Sequence, residues 1–199
     1  MEITPKKFPY DMSAISKDQF DSHIKLYNGY VDKVNEITKD LFDLTPPFQA
    51  NATYSKYRGL KKGETYALDG VILHEAYFSN MTSAKTSPDE CLHRVFDQCF
   101  GGYEGWVNDF ASCAAAARGW CVFCYDQRTR SFRNILMDSH DDGMTCLAYP
   151  IIVLDMYEHA YFIDYKTDKA EYIKRFIDGI CWRAAGKRLN KLGRETSIA

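Results

Sequence analysis

The chain lacks an excess of either charge. Its 199 residues carry 25 basic and 27 acidic side chains, a net charge of -2. That balance gives no global attraction for nucleic acid or an anionic membrane, so any steering of an anion has to be local. No apolar run approaches the ~20 residues of a membrane span. Residues 1–9 are charged and lack the apolar centre of a secretory leader, which predicts a chain without a signal peptide. There is no internal repeat and no low-complexity segment. The seven cysteines are an odd number, and they fall within apparent helices and strands instead of framing loops. This fits free thiols in a reducing compartment, so the expected localisation is cytoplasmic. Cys121 and Cys124 form a lone CxxC inside an apparent strand, where residues three apart point to opposite faces, and packing is their expected role.

What the chain has is a globular composition, 46% hydrophobic and 15% aromatic, long enough for one or two compact domains. Phe20, His23, Ile24, Tyr27, Tyr30, Val31, Val34 and Ile37 recur at helical spacing. Ser16 is placed to cap this helix, with Gln19 at the third position of a capping box. Thr45-Pro46-Pro47 cannot continue it. A second helix, about 66–81, carries Leu68, Val71, Ile72, His74, Tyr77 and Phe78. Two long helices with a polar connector predict an antiparallel hairpin. Residues 82–88 are small and polar and form the expected link between a hairpin domain, 1–84, and an α/β domain, 85–199. The second part is predicted to hold helices over about 88–99 and up to about 117, then strands around 119–125, 131–137 and 149–154. A single last helix covers about 168–192, with a frayed tail from Gly193. The expected class is α+β, a helical hairpin followed by an α/β domain with a three-stranded antiparallel sheet.

The most informative stretch is Asp155-Met156-Tyr157-Glu158-His159-Ala160-Tyr161. It follows the apolar, β-branched run Ile151-Ile152-Val153-Leu154, which predicts a buried strand. A carboxylate at the end of such a run must be paired, hydrogen-bonded or metal-bound, because an isolated buried charge is costly. A carboxylate and an imidazole four residues apart can both reach one metal ion. Read from the residues alone, a helix-capping Asp with a partly buried His fits as well.

This stretch resembles the C-terminal metal signature of the iron/manganese superoxide dismutases, D-x-W-E-H-A-Y, with Tyr157 in place of the Trp. Leu73-His74-Glu75-Ala76-Tyr77-Phe78-Ser79-Asn80-Met81 resembles the family's second-helix motif, and 22–35 resembles its first-helix motif with a slip of one residue between His23 and Tyr30. The resemblance implies one Fe or Mn ion per subunit, held by His23, His74, Asp155 and His159. Three imidazoles and one carboxylate suit Fe or Mn, whereas thiolate sets favour zinc. His23 is assigned because it is the one His on its helix. The resemblance further implies that His140 holds a metal-bound water, since the alternative donor position is Gly70. Tyr30 becomes the gateway tyrosine and Trp120 a pocket wall. Unlike Gln, a His in this place can switch tautomer, which predicts tolerance of both metals. Glu158 is expected to bridge to the ligand His of a second subunit. Lys25 and Lys169 match basic positions near the substrate funnel.

Three departures stand out. Tyr157 and Val122 replace pocket tryptophans. Leu26 and Phe162 replace a His and a Tyr that hydrogen-bond in the outer relay of many members; losing both avoids stranding one buried polar group. The expected activity is dismutation of superoxide anion by a homodimer or a dimer of dimers, with no nucleic-acid or membrane partner. One rival is a structural assembly subunit that kept the fold. The other is a metalloenzyme with different, peroxide-type chemistry.

Overall fold

A computed structural model of the chain describes residues 2–195, with side chains through Leu192. The expected class is found. The first helix, α1, spans Lys17–Phe42, and Ser16 caps it by accepting from the Gln19 backbone N–H at 3.1 Å. Phe20, His23, Tyr27 and Val31 are buried at three- and four-residue spacing, so one face of α1 packs inward. The second helix, α2, spans Lys56–Ser79 and lies against α1. It begins ten residues before the apolar periodicity does. Its first turns are polar and mostly exposed, and Ser55 starts them by accepting from Arg58 N–H at 3.1 Å. A capped, solvent-facing start carries no burial signal, which is why the pattern alone places it late.

Two shorter helices follow, α3 (Glu90–Phe100) and α4 (Tyr103–Ala116). Asp89 caps α3, accepting from Leu92 N–H at 2.9 Å, and Gly101 ends it at φ 74°, where a side chain would be strained. The sheet is β1 (Trp120–Asp126), β2 (Ser131–Met137) and β3 (Ala148–Asp155), ordered β2-β1-β3 and antiparallel throughout. The register puts Trp120 opposite both Met137 and Asp155. Between Phe123 and Cys124 the β1–β3 pairing shifts, leaving Ile151 as the extra residue beside Pro150. Cys121 and Cys124 are buried and point their thiols at the carbonyls of Phe110 and Arg133, so they pack as expected. All seven cysteines are free.

The chain after β3 differs from the single helix predicted over 168–192. A one-turn 3-10 segment (Glu158–Ala160) leads into the short α5 (Phe162–Tyr165), then α6 (Lys169–Asp178) and α7 (Trp182–Glu195). The break at 179–181 exists because its backbone pairs with the segment after α2. Thr82 N–H donates to Gly179 O at 3.0 Å, Cys181 N–H donates to Asn80 O at 2.6 Å, and Met81 bridges Ile180. A Cβ on Gly179 would lie 2.8 Å from Ser13 Oγ and 3.2 Å from Arg175 O, so a larger residue there would displace the Ser13 side chain. The backbone of α7 runs through Gly193 to Glu195; the side chains of the tail expected to fray lie outside the described residues. Among the described residues no helix is long and apolar enough to cross a membrane.

Candidate metal centre

Four side chains from four places in the chain meet where the hairpin packs on β3. His23 comes from α1, His74 from α2, Asp155 from the last residue of β3, and His159 from the 3-10 turn. Their ligand atoms all lie within 4.8 Å of one another. Asp155 Oδ2 is 3.2 Å from His23 Nε2, 3.2 Å from His159 Nε2 and 3.7 Å from His74 Nε2. His23, His74 and Asp155 are fully buried, and His159 keeps 29% of its side chain exposed.

The proton positions follow from the partners. His74 Nδ1 is 2.6 Å from Gly70 O, an acceptor, so Nδ1 carries the proton and Nε2 offers a lone pair. That Nε2, and both ring nitrogens of His23, have no hydrogen-bond partner although they are buried. Burial pushes His74 down to about 3 and lowers His23 as well, so both rings are neutral. Burial by itself pushes the Asp155 carboxyl up. Its contacts with His159 and His23 outweigh that and hold it below the usual carboxylate range. The result is an anion among neutral imidazoles with the buried His74 Nε2 lone pair unpartnered, an electron-rich pocket that is satisfied by a cation. Bonds of about 2.1 Å put two donors about 3.0 Å apart at a right angle and about 4.2 Å apart in line. The three separations from Asp155 fall in that range and no pair of donors is more than 4.8 Å apart, so small side-chain shifts bring the set onto one metal ion.

The slip on the first helix has a simple outcome. The helix α1 is uninterrupted, and seven residues are two turns, so His23 and Tyr30 share a face and both reach the site. Ser22 lies one residue round the helix, half-buried.

Around these four sits a second layer. Trp120 Nε1–H, which can only donate, gives its hydrogen to His140 Nδ1 at 2.9 Å. The neutral ring therefore carries its proton on Nε2 and gives it to Tyr30 Oη at 2.7 Å. Burial pushes His140 down to about 4, which keeps it neutral. Both its nitrogens are thereby engaged. Trp120 opposes the tautomer switch expected of a histidine here, and any hold of His140 on a metal-bound water passes through Tyr30 or shares the Nε2 proton. Tyr157 stacks on His159 with ring centres 5.2 Å apart and meets Trp120 edge-on at 6.3 Å. Gly70 is closed from another side. A Cβ there would stand 3.0 Å from Tyr30 Cδ1.

Several supporting residues carried no motif. Gln19, fully buried, does not close the capping box predicted for it. Its Nε2 donates to His159 O at 2.6 Å and its Oε1 accepts from Ile163 N–H at 3.0 Å, so it clamps the turn that carries His159. Asp164 accepts from Ser16 N–H at 2.7 Å in the place the box would have used. Tyr172 donates to Asp155 O at 2.8 Å and meets the Tyr77 hydroxyl at 3.0 Å. Arg188 donates to Ile151 O at 2.7 Å, Ala76 O at 3.1 Å and Ser79 Oγ at 2.6 Å, tying α7 to β3 and α2. Arg188 was visible in principle, since it shares a helix face with Ala185, Leu189 and Leu192, and a charge on an apolar face needs partners. Glu158 is exposed beside His159, and His93 is exposed on α3. Leu26 and Phe162 are 42% and 44% exposed. Lys169 Nζ donates to the carbonyls of Ala115 and Ala117 and lines a cleft with Arg118 and His159.

The comparisons with known proteins agree in direction. The family described as iron/manganese superoxide dismutases, C-terminal domain, matches residues 88–188. A superoxide dismutase [Fe] of Aquifex pyrophilus is 36% identical over 187 residues, 92% of this chain and 88% of that protein. One from Aquifex aeolicus is 35% identical, covering 96% of this chain and 92% of that protein. A superoxide dismutase [Mn] 1 of Halobacterium salinarum is 28% identical over 96% of this chain and 95% of that protein.

Proposed function

The chain belongs to the iron/manganese superoxide dismutase family, and on that premise we propose that it dismutates superoxide, two anions and two protons giving O2 and H2O2, with one Fe or Mn ion held by His23, His74, Asp155 and His159. The observation that carries the reading is the convergence of four donors whose buried imidazole nitrogens have no other partner. When bound, the metal supplies the one-electron chemistry, alternating between its 2+ and 3+ states. The residues do the rest. The Asp155 carboxylate balances part of the added charge. Tyr172 and Gln19 fix the backbone on which Asp155 and His159 ride. Trp120 orients His140, and His140 orients Tyr30 by donating to its hydroxyl oxygen. Lys169 and Arg118 place positive charge at the cleft beside His159, which suits an anionic substrate.

The assembly we propose is a homodimer, alone or paired into a tetramer. Its supports are the exposed edge of His159 with Glu158 beside it, and the exposed apolar side chains of Leu26 and Phe162. The cytoplasm suits the seven free cysteines. Retention of all four donors weighs against the assembly-subunit reading. The test is metal analysis and a superoxide assay on protein loaded separately with Fe and with Mn. Activity with at least one metal at about one ion per chain is expected. Stoichiometric loading without activity for either metal would overturn the proposal.

A further inference from the structure

Leu26 on α1 and Phe162 on α5 are apolar and partly exposed, and can carry no proton. The hydroxyls of this site lie on a different side. Tyr66, on α2, is 37% exposed, and its ring stands 4.5 Å from His140 and 6.2 Å from Tyr30. Burial, and after it the neighbouring Tyr66 phenol, push the Tyr30 and Tyr157 hydroxyls above the ordinary tyrosine value. Tyr157 in turn packs on His140, with ring centres 5.4 Å apart. Three phenols thus surround one imidazole, and Tyr66 is the most exposed of them.

We propose that Tyr66 is the solvent end of a proton path into the site, running from water to Tyr66 and on to the Tyr30 and Tyr157 hydroxyls around His140. The inference rests on the dismutase reading above and adds to it a residue on the path. Reduction of one superoxide to H2O2 takes one electron, supplied by oxidation of the other superoxide, and two protons from solvent. In each transfer a hydroxyl gives its hydrogen to the oxygen inside it and takes one from the oxygen outside it. Every phenol ends neutral, and one proton has moved inward. A tryptophan at 157 could donate but not accept, so it could not serve as such a step; the hydroxyl of Tyr157 can do both. Tyr66 and Tyr157 therefore supply on the α2 side what Leu26 and Phe162 cannot supply on theirs.

The test is Tyr66→Phe, which keeps the ring and removes the hydroxyl. In the metal-loaded protein, kcat should fall by about tenfold or more while kcat/KM stays within about twofold, because proton delivery limits turnover and not capture of the anion. Small buffer acids should restore kcat in proportion to their concentration. In the metal-free protein, exchange of the His140 Nε2 proton with water, followed by NMR, should slow by about tenfold or more relative to wild type. That second reading does not need the protein to be a dismutase, so it separates failure of the path from failure of the activity. Unchanged exchange overturns the path, as does a parallel loss of kcat and kcat/KM that buffer acids do not rescue.

Discussion

Arg188 is the residue whose replacement tests the architecture behind the metal centre. Its guanidinium spans three elements, and two of its acceptors are main-chain carbonyls that cannot be exchanged for anything apolar. Ile151 is the extra residue where the β1–β3 pairing shifts, so its carbonyl depends on Arg188 at 2.7 Å, with Asn80 Nδ2 more distant at 3.5 Å. Arg188→Met keeps most of the stem and removes every donor. Burial already opposes the cation, lowering its pKa, so part of the loss is returned when the charge goes. What is not returned is the loss of the charged donor at two carbonyls, Ile151 O keeping only the longer Asn80 contact and Ala76 O only Ser79 Oγ at 3.1 Å, about 1–3 kcal/mol each. The expected net loss is about 2–4 kcal/mol. At about 2–4 °C per kcal/mol for a chain of this size, Tm should fall by roughly 4–16 °C. Ala76 and Ser79 follow His74 on α2, and Ile151 lies on the strand that ends at Asp155. Metal retention on dialysis should therefore fall together with stability. The assay is thermal unfolding of the metal-free protein by circular dichroism, with metal content measured after dialysis of the loaded form. A Tm within experimental error of wild type, with full metal content, would refute the reasoning.

Two further outcomes are expected at the site. His23→Ala should lose most of the metal, while Ser22→Ala, one residue away and half-buried, should bind and turn over like wild type; a fully metallated, fully active His23→Ala protein would remove His23 from the ligand set. Glu158→Ala should weaken the proposed dimer and lower metal retention in parallel, read by analytical ultracentrifugation and metal analysis on the same sample, and an unchanged assembly with unchanged metal would leave Glu158 a surface charge.

The parts of the fold that were legible in the sequence are those with a burial signal. The spacing of Phe20, Tyr27 and Val31 gives α1, and the β-branched run before Asp155 gives β3, because each pattern is the imprint of one apolar face. The start of α2 left no such imprint, since Lys56–Thr65 face water and only Ser55 marks the cap. The break between α6 and α7 was hidden for the opposite reason. Apolar spacing continues on both sides of it, and what stops the helix is a backbone pairing with Asn80 and Thr82, about a hundred residues away in sequence. The same division runs through the site. The positions of His74, Asp155 and His159 could be read from local motifs, and His23 from being alone on its helix. The clamp made by Gln19 and the links made by Tyr172 and Arg188 depend on main-chain atoms of distant segments. Gln19 was misread because a local partner, the capped Ser16 N–H, was within reach on paper, whereas Asp164 takes that N–H and frees Gln19 for the ligand turn. The hydrogen-bond direction at His140 also needed coordinates, since only the contact with Trp120 decides which nitrogen bears the proton.

The tight fit of Gly70 against Tyr30 has a consequence for how this centre can be altered. A donor placed at position 70 would have to enter space that the Tyr30 ring already fills, with a new Cβ 3.0–3.3 Å from three of its carbons. Any larger side chain there pushes the ring, and the ring is what His140 holds. Transferring the hydrogen-bonding duty from the loop to α2 is therefore not a one-step substitution. Adding the new donor without removing His140 crowds the site, and removing His140 first leaves Trp120 and Tyr30 without their shared partner. The two positions are therefore coupled by packing through the Tyr30 ring, which has to give by a few tenths of an ångström before position 70 can carry a side chain.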